Sequence, residues 1–146
     1  ELRMPISWGP SEPYDTGDSN AVALDNQGDV VEVHVDSGRL FYRVGTADFT
    51  SRAIAFGPSE PYDTGDSNAV ALDNQGDVVE VHVGSGRLFD RAGSPPFPGL
   101  DQRIPLSPSV EYDTGGPNAV ARDNQGHVVE VHVGSGRLFY RVGHFT

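Results

Sequence analysis

The sequence predicts an all-β protein built from three four-stranded repeats. Three observations carry that prediction. Tyr14-Asp15-Thr16-Gly17 recurs at 62–65 and 112–115, and each copy continues through Asn-Ala-Val-Ala, Asp-Asn-Gln-Gly, Val-Val-Glu-Val-His-Val and Ser-Gly-Arg-Leu-Phe. The equivalent histidines His34, His82 and His132 lie 48 and 50 residues apart, a period that marks stacked or radial repeats. Apolar residues alternate with polar ones in short runs bounded by Gly, Asp, Asn and Ser, and no window carries a helical period.

Within a repeat the elements succeed one another in order. Asn20-Ala21-Val22-Ala23-Leu24 reads as a short strand. Asp25-Asn26-Gln27-Gly28 reads as a tight turn in which Gly28 supplies a positive φ. Residues 30–35 are rich in β-branched side chains and form a second strand. Asp36-Ser37-Gly38 is the next turn, and Leu40-Phe41-Tyr42-Arg43-Val44 the third strand, ended by Gly45. The segment around Ile6-Ser7-Trp8 is the expected fourth strand. Pro10 and Pro13 place the adjoining residues at an edge or in a loop, and Tyr14-Asp15-Thr16-Gly17 reads as a turn in which Asp15 bonds its own backbone. One domain spans 1–146, with repeats at approximately 6–53, 54–103 and 104–146. Four short strands per repeat fit a propeller blade; three such repeats in one chain also fit a β-trefoil.

Side chains in the second strand alternate. Val31, Val33 and Val35 form a core face, whereas Val30, Glu32 and His34 share the other. Buried charge needs a partner, so the hairpin predicts a Glu32–Arg43 contact, with His34 capping a backbone carbonyl. Residues 9–35 and 57–83 are identical. The third copy has drifted further yet keeps Glu130, His132, Tyr140 and Arg141. It carries Arg122 where the others have Leu24 and Leu72, which predicts that this position is not sealed in a core. The second copy alone has Asp90 for tyrosine and Ala92 for valine. If the tyrosine touches a ligand, the second site is the weakened one.

The chain carries a formal charge of −11, ten arginines and no lysine. An acidic surface without basic clusters excludes nucleic acid and anionic membranes as partners. No apolar run approaches the roughly 20 residues that span a bilayer, and without cysteine there are no disulfides or thiolate metal sites.

A surface feature built by one repeat is built three times, which points to multivalent binding rather than single-site catalysis. Candidate binding residues are Glu32, His34, Tyr42 and Arg43; Glu80, His82 and Arg91; and Glu130, His132, Tyr140 and Arg141. Carboxylate, imidazole and guanidinium groups (Arg39 as well as Arg43) beside an aromatic platform, Tyr42 or Tyr14, suit vicinal hydroxyls and the C–H side of a sugar. A glycosidase needs two carboxylates about 5–10 Å apart in a cleft, and no repeat offers a second beyond turn aspartates. One His and one carboxylate per repeat are too few for a metal. No enzyme activity and no cofactor are therefore expected. The alternative is a structural repeat module without a ligand.

The strings Tyr-Asp-x-Gly, Asn-Ala-Val-Ala-Leu-Asp, Gly-x-Val-Val-Glu-Val-His and Leu-Phe-Tyr-Arg-Val-Gly resemble the repeats of β-propeller lectins of the Photorhabdus type and their relatives. The likeness covers essentially the whole chain. It implies blades, binding of fucosylated or other simple sugars in pockets between neighbouring blades, and glycans on cell surfaces as partners. The chain departs from that pattern in having three repeats where the family closes a ring of seven, and Phe41, Phe89 and Phe139 where tryptophan is usual. Three blades do not close a ring of roughly 4–8, so two chains joining head to tail into a six-bladed ring are expected. An extracellular or secreted setting accompanies this reading.

Overall fold

The computed structural model describes residues 5–94 and 104–145, so the end of the second repeat, 95–103, lies outside the described residues. The described chain is all-β. Its strands are β1 (Ser19–Leu24), β2 (Asp29–Asp36), β3 (Arg39–Asp48), β4 (Ala53–Phe56), β5 (Glu60–Thr64), β6 (Ser67–Leu72), β7 (Val78–Gly84), β8 (Arg87–Gly93), β9 (Val110–Thr114), β10 (Asn118–Arg122), β11 (His127–Gly134) and β12 (Arg137–His144). They form three antiparallel sheets. The first has the order β1-β2-β3-β4, with β5 also on β3; the second is β6-β7-β8-β9; the third is β10-β11-β12. None closes into a barrel.

The turns explain the hairpins. Asp25 Oδ1 accepts from the backbone N–H of Gln27 and of Asp29 at 2.8 and 2.9 Å, and Gly28 takes φ +87°. Ser37 and Gly38 both have positive φ (53° and 75°), the signature of a two-residue type I′ turn that matches strand twist. The turn repeats at Ser85-Gly86 and Ser135-Gly136.

The fourth strand differs from the sequence expectation. Residues 5–18 form no strand. The Tyr-Asp-Thr segment, expected as a turn, becomes β5 and β9, and each pairs with the third strand of the preceding repeat. The counterpart of residues 5–8 in the second repeat is β4, which also pairs with β3. Pro61 fits because β5 is an edge strand that needs no amide donor there, and a register shift at Leu40/Phe41 marks the irregularity. The composition of the segment favours a turn; the free edge of β3, distant in sequence, turns it into a strand.

The sheets stack so that the valine face of one meets the mixed face of the next. Val31, Val33, Tyr42 and Val44 pack against Val70, Leu72 and Val78, closed by Ile104. The first strands lie side by side, with β6 between β1 and β10. A buried valine contributes about 1.5–3 kcal/mol, and isolated hairpins are marginal, so contact between sheets holds the molecule together.

Arg122 corrects another expectation. Its side chain is sealed, 4% exposed, with Nη2 2.9 Å from Asp73 Oδ2, itself 2% exposed. Its guanidinium also lies over the Phe145 ring, 4.7 Å from the centroid. A buried arginine is tolerated there because the turn aspartate of the preceding sheet supplies its counter-charge. At the junction of the first two sheets leucine stands instead, and Asp25 Oδ2 is buried without a hydrogen-bond partner among the described residues.

Candidate functional site

Each repeat builds the same chain of polar groups: tyrosine, glutamate, histidine, aspartate, arginine. In the first, Tyr14 donates its hydroxyl proton to Glu32 Oε2 at 2.6 Å. His34 Nδ1 lies 2.9 Å from Glu32 Oε1, and its Nε2 lies 3.3 Å from Asp15 Oδ2. Arg43 Nε donates to the same Asp15 oxygen at 2.8 Å. In the second, Tyr62 bonds Glu80, His82 bridges Glu80 and Asp63, and Arg91 Nη2 donates to Asp63 at 2.7 Å. In the third, Tyr112 bonds Glu130 at 2.7 Å, His132 bridges Glu130 and Asp113, and Arg141 Nη1 donates to Asp113 at 2.9 Å. Each histidine stacks on the phenylalanine opposite it, Phe41, Phe89 or Phe139, with centroids 5.3–5.5 Å apart. That contact gives these phenylalanines their role.

The alternation of β2, β7 and β11 puts glutamate and histidine on one face, and the tyrosine, aspartate and phenylalanine of the same repeat then cover them. All six are buried. The aspartates and the first two arginines sit part-exposed at the rim, and Arg141 is more open. The expected Glu32–Arg43 contact does not form between side chains, although the two residues face each other across the strands. Glu32 is already held by Tyr14 and His34, so the guanidinium turns to Asp15 and the Gly57 carbonyl. Nor does His34 cap a carbonyl; it joins two carboxylates. Asp15 combines two duties. Its Oδ1 accepts from the Thr16 amide, as a turn residue does, while Oδ2 receives Arg43.

The tyrosines of the third strands have unlike fates. Tyr42 is in the core, and its hydroxyl accepts from the Ile104 amide at 2.8 Å. Tyr140 is exposed. In the second repeat Asp90 and Ala92 leave the space that Tyr42 and Val44 fill one junction earlier. The result is a hollow of about 380 Å³ between the second and third sheets, lined on its polar side by Asp90, Arg91, Tyr112, Glu130 and Arg141, with Val79, Val81 and Phe145 among its apolar walls. Three of the sequence-derived candidates, Arg91, Glu130 and Arg141, meet there. Tyr112, the third-repeat equivalent of Tyr14, joins them, as does Phe145, which is not a sequence-derived candidate. The tyrosine-to-aspartate change at 90 is the sequence signal for the hollow. A smaller hollow of about 170 Å³ lies beside the first repeat, against Tyr14, Asp15, Asn20 and His34. A third, of about 560 Å³, opens on the outer face of the first sheet over Tyr14, Glu32 and Phe56.

Electrostatics divide the carboxylates. Burial pushes Glu80 up, against the pull of His82 and Tyr62. Burial also raises Asp90, although His82 opposes it. Tyr62 is raised well above 10, by burial and then by the Glu80 charge. Burial acts upward on Asp63 too, but Arg91, the Thr64 amide and His82 outweigh it and leave its carboxyl below the usual range; Asp15 behaves alike through Arg43. The backbone amide and ring of His127 hold Asp123 at about 2. The signs set the pH response. A raised acid binds its proton more tightly when folded, so Glu80 and Asp90 add stability as pH falls towards their unfolded values near 4. Depressed acids contribute stability above those values and lose it as pH falls further. Melting temperature should therefore hold or rise slightly from pH 7 to about 4 and fall steeply below, with the steep loss at pH 2–3. A melting series in buffers of constant ionic strength checks this; a steady decline beginning at pH 6 contradicts it.

No group of three metal-ligating side chains is disposed to hold an ion among the described residues. The histidine nitrogens face carboxylates rather than open space, so the repeated clusters are suited to support and orientation, and the polar atoms available to a ligand are at their rims. The fold and site define an all-β repeat protein with aspartate–arginine pairs bordering hollows beside and between its sheets. In comparisons with known proteins, no family model and no curated sequence matches the chain.

Proposed function

We propose that this is a multivalent carbohydrate-binding protein, a lectin, whose sheets are propeller blades with similar sugar sites in or between repeats, and whose chains join in pairs to complete a six-bladed ring. Separate sheets with adjacent first strands support blades over the trefoil alternative. The observation that carries the functional reading is the hollow between the second and third sheets. Its volume falls in the 300–1,000 Å³ range of small-molecule sites. Arg91 and Arg141 offer donors to vicinal hydroxyls, Asp90 offers an acceptor, and Tyr112 and Phe145 offer aromatic surface. Glycans on cell surfaces are the partners. Such a site binds weakly alone, and linked copies gain about 10²–10⁴ in avidity where geometry lets several engage.

The test is agglutination of glycan-bearing cells, reversed by a free monosaccharide, together with a glycan array at micromolar protein. An array without hits removes the lectin reading. One observation favours a second reading, a structural repeat module without ligand: the glutamates and histidines singled out by sequence are sealed and bonded to one another. That reading predicts no array hit and a large stability loss from any break in the cluster.

A further inference from the structure

Two parts of this chain lack partners that their repeat counterparts possess. In the first two sheets the outer edge of the third strand is covered by the leading strand of the next repeat. β5 lies on β3 with Arg39 opposite Thr64, Leu40 opposite Asp63, Phe41 opposite Pro61 and Tyr42 opposite Glu60. β9 lies on β8 with Arg87 opposite Thr114 and Leu88 opposite Asp113. β12 carries the same Arg137-Leu138-Phe139-Tyr140 string, yet among the described residues no strand covers its outer edge. Conversely, residues 12–16 have the sequence of β5 but form no strand and are exposed. An open edge beside an idle matching strand is a template for pairing.

The faces agree with the edges. Leu40, Tyr42 and Val44 are 0–6% exposed, whereas their counterparts Leu138, Tyr140 and Val142 are 70–84% exposed. Val70 and Leu72 are buried against the preceding sheet, whereas Val22 and Leu24 stand open at 63% and 50%. The exposed valine face of the third sheet thus matches the open face of the first, as each inner junction matches such a pair. Finer contacts repeat as well. Leu40 Cδ1 approaches to 3.2 Å of where a side chain on Gly65 would begin, and Leu88 sits likewise at Gly115. The Gly65 amide donates to the Gly38 carbonyl and the Gly115 amide to the Gly86 carbonyl, at 3.0 and 2.8 Å. Gly17 and Gly136 are the corresponding pair. At the turns, Asn26 N–H donates to Asn74 Oδ1 and Asn74 N–H to Asn124 Oδ1, both at 2.8 Å, a ladder whose free ends are Asn124 and Asn26.

We propose that residues 6–16 of one copy add as a strand to the β12 edge of a second copy, with Thr16 opposite Arg137, Asp15 opposite Leu138, Pro13 opposite Phe139 and Glu12 opposite Tyr140. The occupant of the open edge is a second copy of this chain, since it carries the strand whose two sequence equivalents already fill the same role. Donation also completes the hollow between the second and third sheets. Phe56, the counterpart of Trp8, lies on the Tyr14 ring at 5.0 Å. Trp8 of the donor therefore comes to the Tyr112 ring at the rim of that hollow. In the single chain Trp8 is 78% exposed, and Arg52 reaches its carbonyl only at 3.4 Å.

The inference rests on the two-chain reading above, is independent of the sugar, and fails separately from either. Residues opposite one another in an antiparallel pair have Cα atoms about 4.5–5.5 Å apart, inside the roughly 4.4–6.8 Å that a disulfide spans. The chain has no cysteine of its own. Thr16→Cys with Arg137→Cys should link two chains on a non-reducing gel, at twice the 15.6 kDa chain mass, while each single variant stays unlinked. A ladder of longer species upholds strand addition and overturns the closed pair. No link in the double variant, with the unaltered protein at twice the chain mass by light scattering, overturns strand addition and keeps the pair. A single-chain mass overturns both. Leu138→Glu, exposed in the single chain and so harmless to its fold, should reduce the mass to one chain. Trp8, the sole tryptophan, supplies the second readout: its emission should move to shorter wavelength as concentration rises, and an emission independent of concentration across the assembly range overturns its placement.

Discussion

Replacing Glu80 with alanine should lower the unfolding free energy by about 3–5 kcal/mol, the loss expected when one member of a buried polar cluster is removed. Glu80 is 1% exposed in the central sheet. It takes the Tyr62 hydroxyl and His82 Nδ1, and His82 in turn holds Asp63. Without it one imidazole nitrogen loses its acceptor, the Tyr62 hydroxyl keeps only the Asn68 amide at 3.0 Å, and the Asp63–Arg91 pair loses its inner anchor. Against a typical domain stability of about 5–15 kcal/mol, that is a large fraction, read directly as a lower urea midpoint. Glu80→Gln keeps an acceptor and the shape, and should cost about 1–3 kcal/mol. Glu130→Ala removes the same bonds in the third sheet, whose far face is open, and should cost less. A loss below about 1 kcal/mol for Glu80→Ala contradicts the supporting role. Were Glu80 instead a direct sugar contact, Glu80→Gln would reduce binding while leaving the melt unchanged.

The residues themselves explain which parts of this are legible in the sequence. Alternation in 30–35 is a local property, so the valine face, the hairpins and the positive φ at Gly28 derive from neighbours alone. The same alternation puts the glutamate and histidine on one face. Their burial is not legible, because the groups that cover them, the tyrosine and aspartate of the Tyr-Asp-Thr segment and the phenylalanine across the hairpin, lie up to some 20 residues away and leave no periodic trace; Glu32 and His34 are sealed in this way although no sheet lies on that face of the first repeat. The same holds for the Tyr-Asp-Thr strand. Asp-Thr-Gly reads as a turn in isolation, and only the open edge of the preceding third strand, some 20 residues away, extends it. Arg122 departs from expectation for a related reason: the leucine-to-arginine change is visible, but the Asp73 that neutralises it belongs to another sheet. Of the candidate site, Arg91, Glu130 and Arg141 converge on one hollow, whereas Tyr42 is packing. The tyrosine-to-aspartate change is plain in the sequence, but the hollow it leaves is not, because the facing wall belongs to another sheet.

Asp90→Tyr with Ala92→Val should therefore abolish ligand binding at the hollow between the second and third sheets while raising stability. One junction earlier the same positions hold Tyr42 and Val44, both buried, and they fill the corresponding space there. Valine for alanine adds two carbons to an apolar wall, worth about 0.8 kcal/mol each when covered. Tyrosine replaces a carboxyl whose ionised form is disfavoured by burial, and its ring lies beside Val81 on the same sheet and fills the gap towards the third sheet. The expected gain is about 1–3 kcal/mol, and the expected loss of monosaccharide affinity is at least tenfold, about 1.4 kcal/mol. Calorimetric titration and thermal melts on the same preparation read both. Binding that survives the double substitution shifts the sugar to the rim of the first repeat, where Asp15 and Tyr14 border the smaller hollow. A stability gain in a protein for which no sugar ever registers favours the module without ligand, because the hollow is then only an unfilled copy of the core next to it. The two readings separate on this one change, since it alters the space without touching the sealed glutamate and histidine that both of them need.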